Sequence, residues 1–189
     1  MMIEDLDELR KKAWEYLDAK RVPHVAGCEK EAVKLAQFWK EDVRDSAVAA
    51  MLHDCTKRLP YSANLAIIEE SGQTVDQGLL AEKKLLHAVT GSIIAVKDFS
   101  VSDRIASAIR WHTTGKPDMD LLEKIIYLAD YIEETRDFEG VDKLRSLAYK
   151  NIDEAMSLGL KMSVENIRER GNEPYIDSIL AYEYYNREE

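Results

Sequence analysis

The chain is short of cysteine, proline and glycine, and short of cations. Its two cysteines, Cys28 and Cys55, stand apart, and neither belongs to a Cys-x-x-Cys pair. Two thiols cannot staple a fold of 189 residues, so a disulfide scaffold is excluded and a reducing compartment is expected. The longest stretch free of Asp, Glu, Lys and Arg runs only from Leu85 to Val96, well short of the roughly 20 apolar residues that a membrane-spanning helix needs. The start, MMIEDLDELRKK, is acidic and amphipathic. A secretory signal has a basic head and an apolar middle, so a cytoplasmic location is expected instead. Lys and Arg number 26 against 36 Asp and Glu, a formal charge of −10. That balance argues against a broad nucleic-acid surface, which would need clustered cations. It leaves room for a small anionic substrate at a locally positive site. No alternation of period two is sustained, and no repeat or low-complexity segment is present.

What remains is a helical pattern. The apolar share, 46%, is too high for a wholly disordered chain, and no linker divides it, so a single domain over 1–189 is expected. All four prolines, Pro23, Pro60, Pro117 and Pro174, fall where connectors are wanted. Helices are predicted from about Asp5 to Lys20, from Pro23 to Trp39, from Asp45 to Asp54, and from a cap at Ser62 to Glu70. Others follow near 76–86, 88–98 and 102–112, then from Asp120 to Glu134. A long helix from Val141 to Arg170 is expected to stop at Gly171, with a last amphipathic piece after Pro174 and a frayed charged tail at 186–189. The fold class is all-α, with short connections of the kind that join helical bundles.

The informative residues are polar ones standing where apolar ones belong. His112 follows Ile105 and Ile109 at helical spacing. His53 follows Ala49 and Ala50, a small face that permits close approach, and Asp54 comes next. Asp130 is the only charge in IIYLADYI, Ile125 to Ile132, and is costly to bury there unless paired or metal-bound. Taken singly, each has a plain structural reading: a hydrogen-bonded core histidine, an aspartate paired with Lys or Arg, an aspartate starting a turn. Taken together the balance shifts. His24, His53, His87 and His112 are all the histidines in the chain, and each lies near a helix end or on an apolar stripe. Four imidazoles with two carboxylates suit divalent transition metals. One catalytic zinc takes about three protein ligands, so two metals sharing a carboxylate fit this count better.

The series His24, His53-Asp54, His87, His112 and Asp130 resembles the HD phosphohydrolase superfamily in its six-ligand, two-metal form. The words around it are narrower: HDCTKRLP (His53–Pro60), LLHAVTGS (Leu85–Ser92), RWHTTGKPDMDLLEKIIYLADYIEETRDFEGV (Arg110–Val141) and LRSLAY (Leu144–Tyr149). They resemble the bacterial YqeK-type family of symmetrical dinucleoside tetraphosphatases, which act on diadenosine tetraphosphate. The likeness runs from about Arg21 to Gly171, the expected HD core. Family members often have Pro-Gly where Glu134 and Thr135 stand, and Gly-Pro-Val-Gly where Ala88, Val89, Thr90 and Gly91 follow His87. Neither departure removes a ligand.

The resemblance implies one metal held by His24, His53, Asp54 and Asp130. A second would be held by His87 and His112, with Asp54 bridging at a metal separation of about 3.5–4 Å. It implies iron as the native metal, with Mn, Co or Zn acceptable to the same ligands, and a homodimer. Two divalent ions outweigh Asp54 and Asp130, so the site stays cationic inside an acidic chain and draws in a polyphosphate. A bridging hydroxide would cut diadenosine tetraphosphate into two ADP, with Asp54 and Lys57 as the catalytic pair. Lys57 is the counterpart of a phosphate contact in the family. Thr113, Thr114 and Gly115, next to His112, are expected to face phosphates, Arg136 to reach a distal one, and Arg21 to contribute more weakly. Cys55, Trp111, Tyr182, Tyr184, Tyr185 and the charge run 166–173 are read as structure. Rival readings are another HD nucleotidase or phosphodiesterase, a non-catalytic nucleotide sensor, and a helical protein with scattered histidines.

Overall fold

A computed structural model describes residues 5–187, and among them all regular structure is helical. The elements are α1 Leu6–Trp14, α2 Val22–Trp39, α3 Val43–Leu52, α4 Tyr61–Ser71, α5 Gln77–Ala81, α6 Leu86–Phe99, α7 Asp103–Trp111, α8 Leu121–Ile132, α9 Val141–Ala148, α10 Ile152–Glu169 and α11 Ile176–Tyr185. No described helix is long and apolar enough to cross a membrane.

Local chemistry sets most boundaries. Asp5, Asp42, Asp76, Ser102, Asp120 and Asn151 each cap a helix start with a side-chain oxygen, satisfying amides that would otherwise lack partners. Asp120 and Glu123 form a reciprocal capping box at the head of α8. Helix α8 is the axis of the molecule. It is apolar nearly all round, and Leu122, Ile125, Ile126, Leu128 and Ile132 are fully buried, as expected of a helix surrounded by others. Helices α2, α3, α7, α9 and α10 pack around it. Ile68, Leu79, Leu86, Val89 and Ile93 make a smaller cluster that ties α4 and α5 to α6.

Five expectations need correction. Ser62 lies inside α4 rather than capping it, because the helix already starts at Tyr61 behind Pro60, with no side-chain cap. The long helix over Val141–Arg170 is two helices. Asn151 sits in an extended conformation and its Oδ1 accepts from the amides of Asp153 at 3.1 Å and Glu154 at 3.2 Å. That side chain offers the backbone an alternative to continued helix. Helix α1 ends at Trp14 rather than Lys20, because residues 15–21 close into turns in which Asp18 accepts from the Arg21 amide at 2.9 Å. The segment 76–86 forms only the short α5 before turning into α6. Asn186 is tied down rather than frayed: its side chain bonds Ser157 and Tyr182. Met1–Glu4 of the amphipathic start and Glu188–Glu189 of the tail lie outside the described residues.

Candidate active site

The four histidines all stand at helix ends. His24 and His87 lie in the first turns of α2 and α6, while His53 and His112 are the C-caps of α3 and α7. From these four ends the imidazole rings converge. His24 and His53, His53 and His112, and His87 and His112 face edge to plane, with ring centroids 5.0–5.4 Å apart.

Each ring is held by its outer nitrogen. The Nδ1 atoms of His53, His87 and His112 donate to the carbonyls of Ala50, Lys84 and Ile109 at 2.7, 2.8 and 2.7 Å. His24 Nδ1 instead donates to the carboxylate of Glu133, at 3.0 Å. Carbonyls and carboxylates can only accept, so each Nδ1 carries a proton and each Nε2 faces inward.

The carboxylates meet those Nε2 atoms. Asp54 is fully buried and divides its oxygens between two sides. Its Oδ2 faces His53 Nε2 at 3.4 Å and His24 Nε2 at 3.7 Å. Its Oδ1 faces His87 Nε2 at 3.3 Å and His112 Nε2 at 3.6 Å. Asp130 Oδ1 closes the first side, 3.1 Å from His24 Nε2 and 4.0 Å from His53 Nε2. The residues present fit divalent metal. His24 Nε2, His53 Nε2 and Asp54 Oδ1 are buried polar atoms without a hydrogen-bond partner among the described residues, an arrangement that costs free energy unless a cation completes it. Two overlapping groups, His24–His53–Asp130 and His53–Asp54–His112, have ligand atoms close enough to share an ion.

The electrostatics separate the two sides. Burial works against charge on both carboxyls, yet His53 beside Asp54, and His24 and His53 beside Asp130, hold both well below the ordinary aspartate range. Burial also opposes charge on His53, but Asp54 outweighs it and raises that imidazole. On the other side burial prevails, lowering His112 and pushing His87 down to about 4. Neutral imidazoles are the form that binds metal.

Cations ring the cluster. Arg21, at the N-cap of α2, donates through Nε to Asp54 Oδ2 at 2.6 Å. Lys57 Nζ lies 2.9 Å from His87 Nε2 and 3.7 Å from Asp54 Oδ1, with its side chain one-third exposed. Burial lowers its ammonium pKa. Arg136 donates to the Asp130 carbonyl at 2.8 Å and to its Oδ1 at 2.5 Å. Thr113 Oγ1 sits 3.1 Å from His112 Nε2 and faces the cluster. Thr114 and Gly115 do not, contrary to the expectation from sequence. The Thr114 hydroxyl bonds the Gly115 carbonyl. Gly115 turns the chain away at φ +67°, spending its amide on the Trp111 carbonyl against Ala181 and Leu160. The chain must reverse there to reach α8, and only glycine takes that conformation without strain.

Cys28 and Cys55 are buried, and burial pushes the Cys55 thiol up to about 12. Tyr184 and Tyr185 bond Asp118 and the Met119 amide, and Arg110 stacks over Trp111 at 4.2 Å. Two features were missed. A cavity of about 700 Å³ opens beside His112, Thr113 and Asp130, walled by Tyr127, Tyr131, Phe138, Arg136, Ser163 and Arg170. Tyr127 and Tyr131 are one turn apart on an apolar helix, so their pattern reads as core. The second is Glu133, the C-cap of α8. Its one signal in the sequence is a glycine, Gly27, inside the amphipathic helix α2.

The HD domain family matches residues 21–135. The symmetrical bis(5'-nucleosyl)-tetraphosphatase of Bacillus subtilis is 34% identical, covering 87% of this chain and 88% of its own. That of Halalkalibacterium halodurans is 33% identical over 88% and 89%. Among solved structures, a protein from Clostridium acetobutylicum described as a predicted HD superfamily hydrolase involved in NAD metabolism superimposes with a TM-score of 0.92 at 33% identity, covering 98% of both chains. Divalent-metal use goes with the HD domain, and the His/Asp clusters provide for it. The chain belongs to the HD-domain family and, within it, to the symmetrical bis(5'-nucleosyl)-tetraphosphatases.

Proposed function

We propose that the protein hydrolyses diadenosine tetraphosphate between its second and third phosphorus atoms, releasing two ADP. Water adds to one of these phosphorus atoms as the bridging P–O bond breaks, and the departing oxygen leaves on the second ADP. The observation that carries this reading is the convergence of six side chains, His24, His53, Asp54, His87, His112 and Asp130, on one point beside the cavity.

His24, His53, Asp54 Oδ2 and Asp130 would hold one divalent ion, and His87, His112 and Asp54 Oδ1 a second; iron is the proposed metal, with Mn, Co or Zn as substitutes. Bound ions supply Lewis acidity for the phosphoryl oxygens and make a water acidic near neutral pH. The remaining work falls to the chain. Lys57 and Thr113, both at the cluster and partly exposed, bind the phosphates being separated. Arg136 stands between Asp130 and the cavity and takes a more distal phosphate in its planar fork. Arg21 neutralises Asp54 and restrains it. The cavity walls seat a nucleoside against Tyr127, Tyr131 and Phe138. Fixed donors and cations placed where phosphoryl charge develops lower the barrier without a covalent intermediate.

The same reading takes the protein as a single HD metallohydrolase unit over 1–189 with its core at 21–171. It acts in the cytoplasm as a homodimer, with a dinucleoside polyphosphate and no nucleic acid as partner. Chromatography of the products from diadenosine tetraphosphate tests it, with His53→Ala and a chelator as controls. ADP as the only product, lost in both controls, supports it. Inorganic phosphate from a nucleoside monophosphate, with the dinucleotide left intact, would make the protein another kind of HD phosphohydrolase. Tight ADP binding without any turnover would make it a sensor.

A further inference from the structure

Three of the four histidines are held by carbonyls of their own chain segment, three residues back. His24 is held by a carboxylate from the far end of α8, 109 residues away. That carboxylate, Glu133, has a side chain with no exposed surface. Its two oxygens take three donors: Oε1 accepts from His24 Nδ1 at 3.0 Å and from the Thr135 hydroxyl at 2.5 Å, and Oε2 accepts from the Thr135 amide at 2.7 Å. Arg136 Nε stands 3.6 Å off. Room for this carboxylate comes from Gly27, one turn after His24 on α2. A Cβ at position 27 would lie 2.5 Å from Glu133 Oε2 and 3.3 Å from its carboxyl carbon. Glycine is a poorer helix former than alanine, and the close approach of Glu133 accounts for its place there.

We propose that Glu133 is a positioning residue for His24, seated by Gly27 and Thr135, and that this unit sets the affinity of the His24 side of the centre for its divalent ion. The inference rests on the metal-centre reading above, but it concerns binding rather than turnover. An anionic acceptor on Nδ1 fixes the tautomer, aims the ring and makes Nε2 a better donor to a cation. A carboxamide cannot replace it. Glutamine brings one acceptor and one amino group, so it must turn a donor toward either His24 or Thr135.

The test is a competition titration of the metal-freed full chain with Co²⁺ against a chelating dye, alongside the melting temperature of each metal-free variant. Glu133→Gln is expected to weaken Co²⁺ about 10–100-fold, and Thr135→Gly to weaken it by less. Gly27→Ala is expected to weaken Co²⁺ in the parent although alanine favours the helix. In a Glu133→Ala background the same change at 27 should leave Co²⁺ affinity unmoved, because no carboxylate remains to displace. A merely structural role for Glu133 would lower melting temperatures without this non-additivity. Two results overturn the proposal: parent-like Co²⁺ affinity in both Glu133→Gln and Gly27→Ala, or an equal loss from Gly27→Ala with and without the Glu133 carboxylate. A parent that binds Co²⁺ as described but leaves diadenosine tetraphosphate intact would refute the proposed activity and leave this inference standing.

Discussion

Lys57 illustrates how much a single side chain can carry when its surroundings are already committed. Its ammonium lies within 4 Å of both His87 Nε2 and Asp54 Oδ1, yet its side chain remains one-third exposed, so it borders both the ligand cluster and the space that substrate enters. Lys57→Ala is expected to lower kcat/KM for diadenosine tetraphosphate about 10²- to 10³-fold, as removal of one preorganised charge stabiliser does in other enzymes. Metal content should stay at the parent level. Steady-state kinetics with elemental analysis of the same samples checks this, and a parallel fall in bound metal would reassign Lys57 to the upkeep of the ligands. Asp54 acts differently, because each of its oxygens serves one side of the centre and no neutral side chain reproduces both.

Helix ends are the elements from which this site is assembled. Each histidine occupies a first or last turn, where the backbone geometry changes and a side chain can aim at a point shared with other helices. Caps therefore matter twice, for stability and for direction. The break between α9 and α10 depends on one of them. Asn151→Ala removes the acceptor for the Asp153 and Glu154 amides, and should cost about 1 kcal/mol of stability. Thermal or urea unfolding monitored by circular dichroism measures it, and an unchanged midpoint would show that packing alone divides the two helices. Activity should survive, since α9 and α10 contribute no proposed metal ligand, although Ser163 and Arg170 face the cavity from this region.

Across the whole molecule, an acidic chain concentrates cations at one place. Arg21, Lys57 and Arg136 gather at the cluster opposite Asp54, Asp130 and Glu133, so carboxylate charge is offset there although the chain as a whole carries −10. Ion pairs also join distant elements. Arg104 on α7 grips Glu41, in the turn between α2 and α3, through two bonds of 2.9 and 2.6 Å, and reaches the α8 cap Asp120 at 3.3 Å. The hydrogen bond from Arg104 holds the Glu41 carboxyl below its ordinary 4.5. A depressed carboxyl contributes stability in full above its unfolded pKa, and the contribution is lost as pH falls through the folded value. Glu41→Gln should therefore melt below the parent at about pH 6 and approach it at about pH 3. Melting temperatures across that range decide the matter, and a gap that does not close on acidification would count against the pair.

Much of this was legible beforehand, and the reason is periodicity. Apolar spacing announced the helices, and a charge inside IIYLADYI or a histidine after Ile105 and Ile109 had to be accounted for by partners outside its own helix. The resemblance in the flanking words then named the class of chemistry. Other features were not legible. An asparagine that caps a new helix and one that sits on a continuous helix look alike in a string of residues, so 141–170 reads as one piece. Thr114 and Gly115 adjoin a proposed ligand in sequence but turn away from it in space, because the chain must reverse toward α8. Glu133 reaches His24 only because α2 and α8 pack closely enough for a missing Cβ to matter. Order along the chain decides which way a residue points within its own helix. Which atom of a distant helix it meets at 3 Å is decided by packing, which no local pattern encodes.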